Sequence, residues 1–342
     1  MKIPVFSSED LKKLLKMRQV IAAVEDVYRL KAKDETEVWP HICYHFDGEE
    51  KGVMDIKSGV VMGNISLHGA KLLNTFWGNK NKGLPVFSGL LMVFDSSTGL
   101  PLGMMDASYI TCMRTGAAGA LGIKTFARKD AATLFVMGAG KQAVFQIAAT
   151  LTLLPEFKTV YIGDPLSDSN AERFAKSMPE RLKNDFGLSN IDEVKFIAAT
   201  KGNTGCLVSQ SDAIITITPS RKPLIKEEWV SPGTHLSCIG ADMKGKEEIE
   251  PELFRRARAF ADDLQQCVNV GEMEIPMKNG MVSEDNIGGE IGQVLEGKLP
   301  GRLSKEEITI FDATGIALLD LVTAKIAIDQ AEENGVGQFV EI

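Results

Sequence analysis

The chain has 342 residues, 44% of them hydrophobic, and a formal net charge of −8 at pH 7. That length suggests about two domains with enough apolar material for large cores, and an acidic balance without a basic block argues against nucleic acid or an anionic membrane as main partner. No apolar run is long enough to span a bilayer and residues 1–7 lack the apolar core of a signal peptide, so a cytoplasmic location with five reduced cysteines is expected.

Taken in order, Ser7 or Ser8 caps a helix whose first turn holds Glu9 and Asp10. Its apolar face, Leu11, Leu14, Leu15, Ile21, Val24 and Val27, runs to about Leu30. From Val38 to Phe94 short alternating stretches broken by glycine, at 41–46, 59–62, 70–76 and 90–94, predict an antiparallel sheet. Residues 95–99 turn the chain into a returning strand at 100–106, and 107–127 reads as a helix of small apolar residues leading into a second domain. His41, Cys43 and His45 share one face of a strand and, with Asp47, superficially resemble a zinc set. Zinc ligands usually come as separated pairs or from several parts of a chain, so no metal is expected.

Residues 132–137 suit a strand buried on both faces, and Gly138-Ala139-Gly140 then turns into a helix that opens with Lys141, Gln142 and Ala143. Two glycines let the backbone turn sharply and let a pyrophosphate approach the helix N-terminus, where unpaired N–H groups attract anions. Ala143 takes the third place of the G-x-G-x-x-G/A pattern, where only close helix–strand contact is required. The next apolar run, 158–163, ends at Asp164. An acid there accepts hydrogen bonds from ribose hydroxyls and repels a 2′-phosphate, so NAD is expected over NADP, although Asp164 before Pro165 equally suits a plain turn.

A helix at 168–182 and strands at 193–198, 213–217, 234–239, 257–262 and 308–311 continue the alternation, the pattern of a Rossmann-type doubly wound parallel sheet in an α/β protein. The last helix, 315–333, follows that sheet without extending it and is expected to pack back on the first domain. The expected organisation is therefore a discontinuous α+β domain, 1–125 and 314–342, and a dinucleotide-binding domain, 126–313.

Three further residues could carry chemistry. Arg114 lies among small apolar residues and needs an anion, either an internal carboxylate or that of a substrate. Lys71 sits in an apolar strand, where local sequence favours a solvated outer face. Asp242 follows strand 234–239, at the edge where open α/β sheets bind ligands; it suits proton exchange with an amine or imine, or a loop cap near Gly245.

These segments combine into a wider likeness. Ala70-Lys71-Leu72-Leu73-Asn74, Cys112-Met113-Arg114-Thr115-Gly116, Met137 to Ala143, Ile239-Gly240-Ala241-Asp242 through Lys246-Glu247-Glu248-Ile249, and Leu299-Pro300-Gly301-Arg302 before Ile308 to Asp312 occur in order. In them the chain resembles the ornithine cyclodeaminase/μ-crystallin family over essentially its whole length. The resemblance implies that Lys71 and Arg114 hold the α-carboxylate of a small amino or imino acid, that Asp242 is the proton-transfer residue, and that Thr218 lies along NAD. It also implies a homodimer formed through the first, substrate-binding domain. Members often carry an arginine shortly before the Lys71 strand; here 30–70 contains none, and Met62-Gly63-Asn64 stands for a Met-Pro-Ala-like segment, which leaves His41 or His45 for a third carboxylate contact. The implied function is an NAD-dependent oxidoreductase interconverting an amino acid and its imino or keto acid. Two alternatives stay open: an ornithine cyclodeaminase that forms proline and ammonia while recycling NAD, and a non-catalytic ligand-binding protein.

Overall fold

The structure, a computed structural model, describes residues 2–46, 51–282 and 286–341. In chain order the elements are β1 (Lys2–Phe6), α1 (Ser8–Leu14), α2 (Met17–Ala32), β2 (Thr36–Val38), β3 (Ile42–Phe46), β4 (Gly52–Val61), β5 (Leu67–Phe76), β6 (Phe87–Asp95), β7 (Pro101–Asp106) and α3 (Ala107–Phe126). Then follow β8 (Thr133–Met137), α4 (Lys141–Leu153), β9 (Thr159–Gly163), α5 (Asp168–Phe186), β10 (Lys195–Ala198), α6 (Thr204–Ser209), β11 (Ala213–Thr216), β12 (Arg221–Ile225), β13 (His235–Cys238) and β14 (Glu247–Ile249). The chain ends with β15 (Ala257–Ala261), α7 (Leu264–Val270), α8 (Glu274–Lys278), β16 (Ile287–Glu290), α9 (Ile291–Leu295), β17 (Ile308–Asp312), α10 (Ala317–Asn334) and β18 (Gln338–Glu341). Two compact units result, one of residues 1–114 and 316–342, the other of 115–315.

The first unit is built on an eight-stranded sheet in the order β18-β1-β7-β6-β5-β4-β2, with β3 paired to β4. All of its pairings are antiparallel except β1 with β7. Strand β1 was hidden in the sequence by Pro4, and β18 is a second strand beyond those expected. Ser7 is the N-cap of α1, its hydroxyl accepting from the Asp10 N–H while the Asp10 carboxylate accepts from the Ser7 N–H. The single helix expected to Leu30 is two helices, because Leu15 and Lys16 are extended (φ −90° and −113°) and Leu15 turns inward. Strand β4 begins earlier than position 59, since Asp55 and Lys57 break the apolar alternation of its first half.

One face of this sheet packs under α2 and α10, and alternate residues of β5 point into it: Leu67, Gly69, Lys71 and Leu73. A Cβ on Gly69 would lie 2.7 Å from Leu321 Cδ2, so glycine is what lets α10 settle this close. The other face carries a cross-strand row of Ile42, Ile56, Leu72 and Leu90, whose outer members are 57% and 51% exposed.

The second unit holds an eight-stranded parallel sheet, order β10-β9-β8-β11-β13-β17-β15-β16, with β12 and β14 as a separate parallel pair. Its central strands are apolar on both faces, as β8 (TLFVM) and β11 (AIIT) illustrate, because helices cover both sides of such a sheet. Strand β8 lies between β9 and β11, so the chain leaves it in opposite directions and a crevice opens at its carboxyl end. Among the described residues no helix is long and apolar enough to cross a membrane.

Candidate active site

Gly138 follows β8 with φ +125°, a conformation open to glycine but strained for other residues, and its N–H donates to the Gly163 carbonyl at 2.8 Å. A Cβ there would stand 2.7 Å from the Ile217 carbonyl oxygen and 3.1 Å from Thr218 Cγ2. Gly140 differs: it is extended, caps α4 without a side-chain hydrogen bond, and a Cβ on it would meet nothing within 4 Å. Ala139 is half-buried, Gln142 lies in the first turn of α4, and Ala143 is buried against the sheet. The result is an uncapped helix N-terminus with open space over Gly140, which fits the pyrophosphate of a dinucleotide.

Asp164 stands directly after β9. One carboxylate oxygen accepts from the N–H groups of Leu166 (2.9 Å) and Ser167 (3.2 Å), and the other accepts from the Asn170 side-chain amide. Asn170 also donates to the Ala139 carbonyl at 3.4 Å, tying Asp164 to the glycine turn. The turn expected before Pro165 is therefore present, and it holds the carboxylate next to the glycine turn through Asn170.

At the neighbouring strand ends, the Thr218 hydroxyl and N–H donate to Glu248, at 2.7 and 2.6 Å, while its methyl faces Gly138. Asp242 lies beyond β13 with its side chain 44% exposed and accepts from Lys246 Nζ at 2.5 Å. Lys246 also donates to the Gly240 carbonyl at 3.3 Å.

In the first unit the local expectation for Lys71 is overturned: its side chain is fully buried on the inner face, not on a solvated one. Lys71 Nζ donates to Asp320 Oδ2 at 2.5 Å and to Thr111 Oγ1 at 3.4 Å. Arg114, on α3, donates through Nε to Asp320 Oδ1 at 3.2 Å and is 8% exposed. Among the described residues its Nη1 and Nη2 groups have no hydrogen-bond partner. Of the two anions open to Arg114, the internal one is thus present, and it leaves the outer edge of the guanidinium unused.

Burial pushes Lys71 down to about 7, Arg114 repels it further, and Asp320 restores only part of the loss. Burial alone would raise Asp320, but Arg114 and then Lys71 outweigh it and hold the carboxylate below its ordinary range. In direct contact one carboxylate faces two cations, and Lys57, opposite Lys71 on β4, adds positive charge at longer range, an arrangement that favours a further anion. Asp320 was not among the sequence candidates; the available signal was a lone carboxylate in the buried stretch Ala317 to Ala324 of an otherwise apolar helix face.

His41 Nε2 lies 2.9 Å from Asp55 Oδ1, and His45 Nε2 is 3.6 Å from Cys43 Sγ. His41 is therefore partnered by an internal carboxylate, and His45, on β3, is exposed. Asp47 lies outside the described residues.

The doubly wound parallel sheet with its open glycine turn makes the second unit a dinucleotide-binding type of α/β fold, and the first unit holds a buried cluster of Lys71, Asp320 and Arg114. The chain belongs to the ornithine cyclodeaminase/mu-crystallin family, whose profile matches residues 2–335. It is 34% identical over 337 residues, 98% of each chain, to the alanine dehydrogenase of Archaeoglobus fulgidus. Among solved structures it resembles an archaeal alanine dehydrogenase dimer with bound NAD, with 32% identity, full coverage of both chains and a TM-score of 0.88. It also resembles the Thermococcus litoralis Δ1-pyrroline-2-carboxylate reductase in complex with NADH and L-proline, with 28% identity, 98% and 99% coverage and a TM-score of 0.89.

Proposed function

We propose that the protein is an NAD-dependent oxidoreductase that interconverts a small α-amino acid and its imino or keto acid, and that it acts in the cytoplasm. The observation that carries this reading is Arg114, a nearly buried guanidinium whose Nε is fixed by Asp320 while Nη1 and Nη2 face no partner among the described residues. That edge suits the two oxygens of a carboxylate, which guanidinium binds bidentately. The relatives named alanine dehydrogenase and Δ1-pyrroline-2-carboxylate reductase support the same substrate class.

In this reading Gly138, Ala139, Gly140, Gln142 and Ala143 hold the pyrophosphate of NAD, Asp164 its ribose, and Thr218 lines it. NAD, when bound, supplies hydride exchange at the substrate α-carbon. Arg114 and Lys71 fix the α-carboxylate. Lys71, held at about 7, exchanges a proton near neutrality without a large energetic penalty, and Asp242 moves the proton of the amine or imine. In the oxidative direction an amino acid, NAD+ and water give a keto acid, ammonium, NADH and a proton.

The test is a panel of amino acids, and of keto acids with ammonia or methylamine, followed by NADH absorbance. Net NADH change with one of them supports the proposal; proline and ammonia from ornithine without net NADH change would assign a cyclodeaminase instead. Asp242→Asn should abolish turnover while NADH still binds; unchanged activity in every assay would remove the enzymatic role given to Asp242. We also propose a homodimer joined through the exposed Ile42 to Leu90 row, in line with the dimeric archaeal alanine dehydrogenase.

A further inference from the structure

Glu248 stands out as a fully buried carboxylate that no part of the proposed chemistry uses. It lies on β14, and its two oxygens serve two different loops. Oε1 accepts from the Thr218 N–H at 2.6 Å and the Thr218 hydroxyl at 2.7 Å; Oε2 accepts from the Gly240 N–H at 2.9 Å. Thr218 and Gly240 each lie two residues beyond the ends of adjacent parallel strands, β11 and β13. Where such strands part, backbone N–H groups lose their ladder partners and need another acceptor. A carboxylate suits this place because both of its oxygens accept and neither must donate.

The surroundings are shaped to it. A Cβ on Gly240 would collide with Glu248 Oε2 and with the Thr218 carbonyl, so only glycine lets the two loops close on the carboxylate. Strand β14 is itself fixed from behind, the N–H groups of Glu248 and Ile249 both donating to Glu272 Oε1 at 2.8 Å. The Gly245 N–H donates to Glu274 Oε2 at 2.7 Å, which anchors the middle of the intervening loop. That loop carries Asp242 and Lys246, and Lys246 reaches back to the Gly240 carbonyl. Burial pushes the Glu248 carboxyl up, and its hydrogen bonds from Thr218 and Gly240 oppose that rise.

We infer that Glu248 is a positioning residue: by clamping the loops after β11 and β13 together it fixes where Thr218 and Asp242 stand. The inference rests on the role given to Asp242 above. Glu248→Gln keeps the size of the side chain but turns one acceptor into a donor, which must then oppose the N–H of Thr218 or of Gly240.

The experiment compares Glu248→Gln and Asp242→Asn with the parent protein, using NADH as the binding probe and the amino acid found active in the panel as substrate. For a folded Glu248→Gln protein, amide hydrogen exchange at Gly240 and Asp242 should speed up. Its kcat should fall about 100-fold, the scale of a displacement of roughly 1 Å at a reacting group, with a smaller change in NADH affinity. The pH profile of kcat should also move, because Asp242 no longer keeps its place against Lys246. Glu248→Asp keeps the acceptors but is too short to reach both loops, and it is read in the same way if the first variant does not fold. Parent-like exchange at Gly240 and Asp242, or a loss of stability with an unmoved pH profile, overturns the inference. Slow turnover in Asp242→Asn beside parent-like Glu248→Gln removes the positioning role alone, whereas full turnover in Asp242→Asn removes the role of Asp242 and the inference with it.

Discussion

Lys71 Nζ lies 2.5 Å from Asp320 Oδ2, across 249 positions of sequence, and neither side chain is exposed. Asp320 also receives Arg114, so one carboxylate compensates two buried cations. Removing it leaves both without a counter-charge, whereas removing Lys71 leaves the Arg114–Asp320 pair intact. Asp320→Ala should therefore lower stability by about 3–5 kcal/mol, the usual cost of breaking a buried pair, and Lys71→Met by distinctly less. Urea unfolding of the two variants checks the order; equal losses would contradict it.

Lys71 titrates at about 7 in the folded protein and at 10.5 when free, so between those values the unfolded chain binds a proton that the folded one does not. Its contribution to stability is present in full above pH 10.5 and is lost as the pH falls to 7. The parent protein should gain stability relative to Lys71→Met as the pH is raised from 7 to 10. In kinetics, an ionisation near 7 should appear in the pH profile of kcat/KM. A profile flat through neutrality would show that Lys71 does not titrate in catalysis.

Gly138 and Gly140 should respond differently to alanine. Gly138 has a positive φ and a carbonyl 2.7 Å from the would-be Cβ, so Gly138→Ala should destabilise by about 1–3 kcal/mol and impair NAD binding as well. Gly140 has an ordinary extended backbone and open space, so Gly140→Ala should melt like the parent yet bind NAD more weakly. Calorimetric melting paired with NADH titration separates the two effects.

Asp164→Ser retains an acceptor for the turn at Leu166 and Ser167 but removes the charge. If Asp164 selects the cofactor, the ratio of kcat/KM for NADP over that for NAD should rise about tenfold or more, since a hydrogen bond to a charged group contributes about 1.5–3 kcal/mol. An unchanged ratio would reduce Asp164 to a turn residue.

The glycine turn and the strands of the second unit were legible because they rest on local rules: a conformation that strains any residue but glycine, and short apolar runs of β-forming residues that alternate with helices. Lys71 was not, since its neighbours alone gave no reason for a lysine to point inward. That reason is Asp320, which strand periodicity cannot foresee because it arrives on a helix from the other end of the chain. Glu248 was equally silent. Beside Lys246 and Glu247 it reads as one more surface charge, and only the parting of β11 and β13 gives its carboxylate a buried task. Strand β4 was cut short for a related reason, Asp55 and Lys57 being polar residues on a face that otherwise packs.

The long reach from Lys71 to Asp320 also bears on how the protein is made. At about 5–20 residues per second, a ribosome needs roughly 12–50 s to pass from one to the other. Throughout that interval the nascent first sheet carries a lysine whose counter-ion has not been synthesised and a face whose covering helix does not yet exist. The unit of residues 115–315 is completed within the same interval and has all of its own strands in hand. A chain interrupted before α10 therefore holds every strand of the 115–315 unit, yet lacks both the carboxylate that pairs with Lys71 and the helix that covers that face of the first sheet.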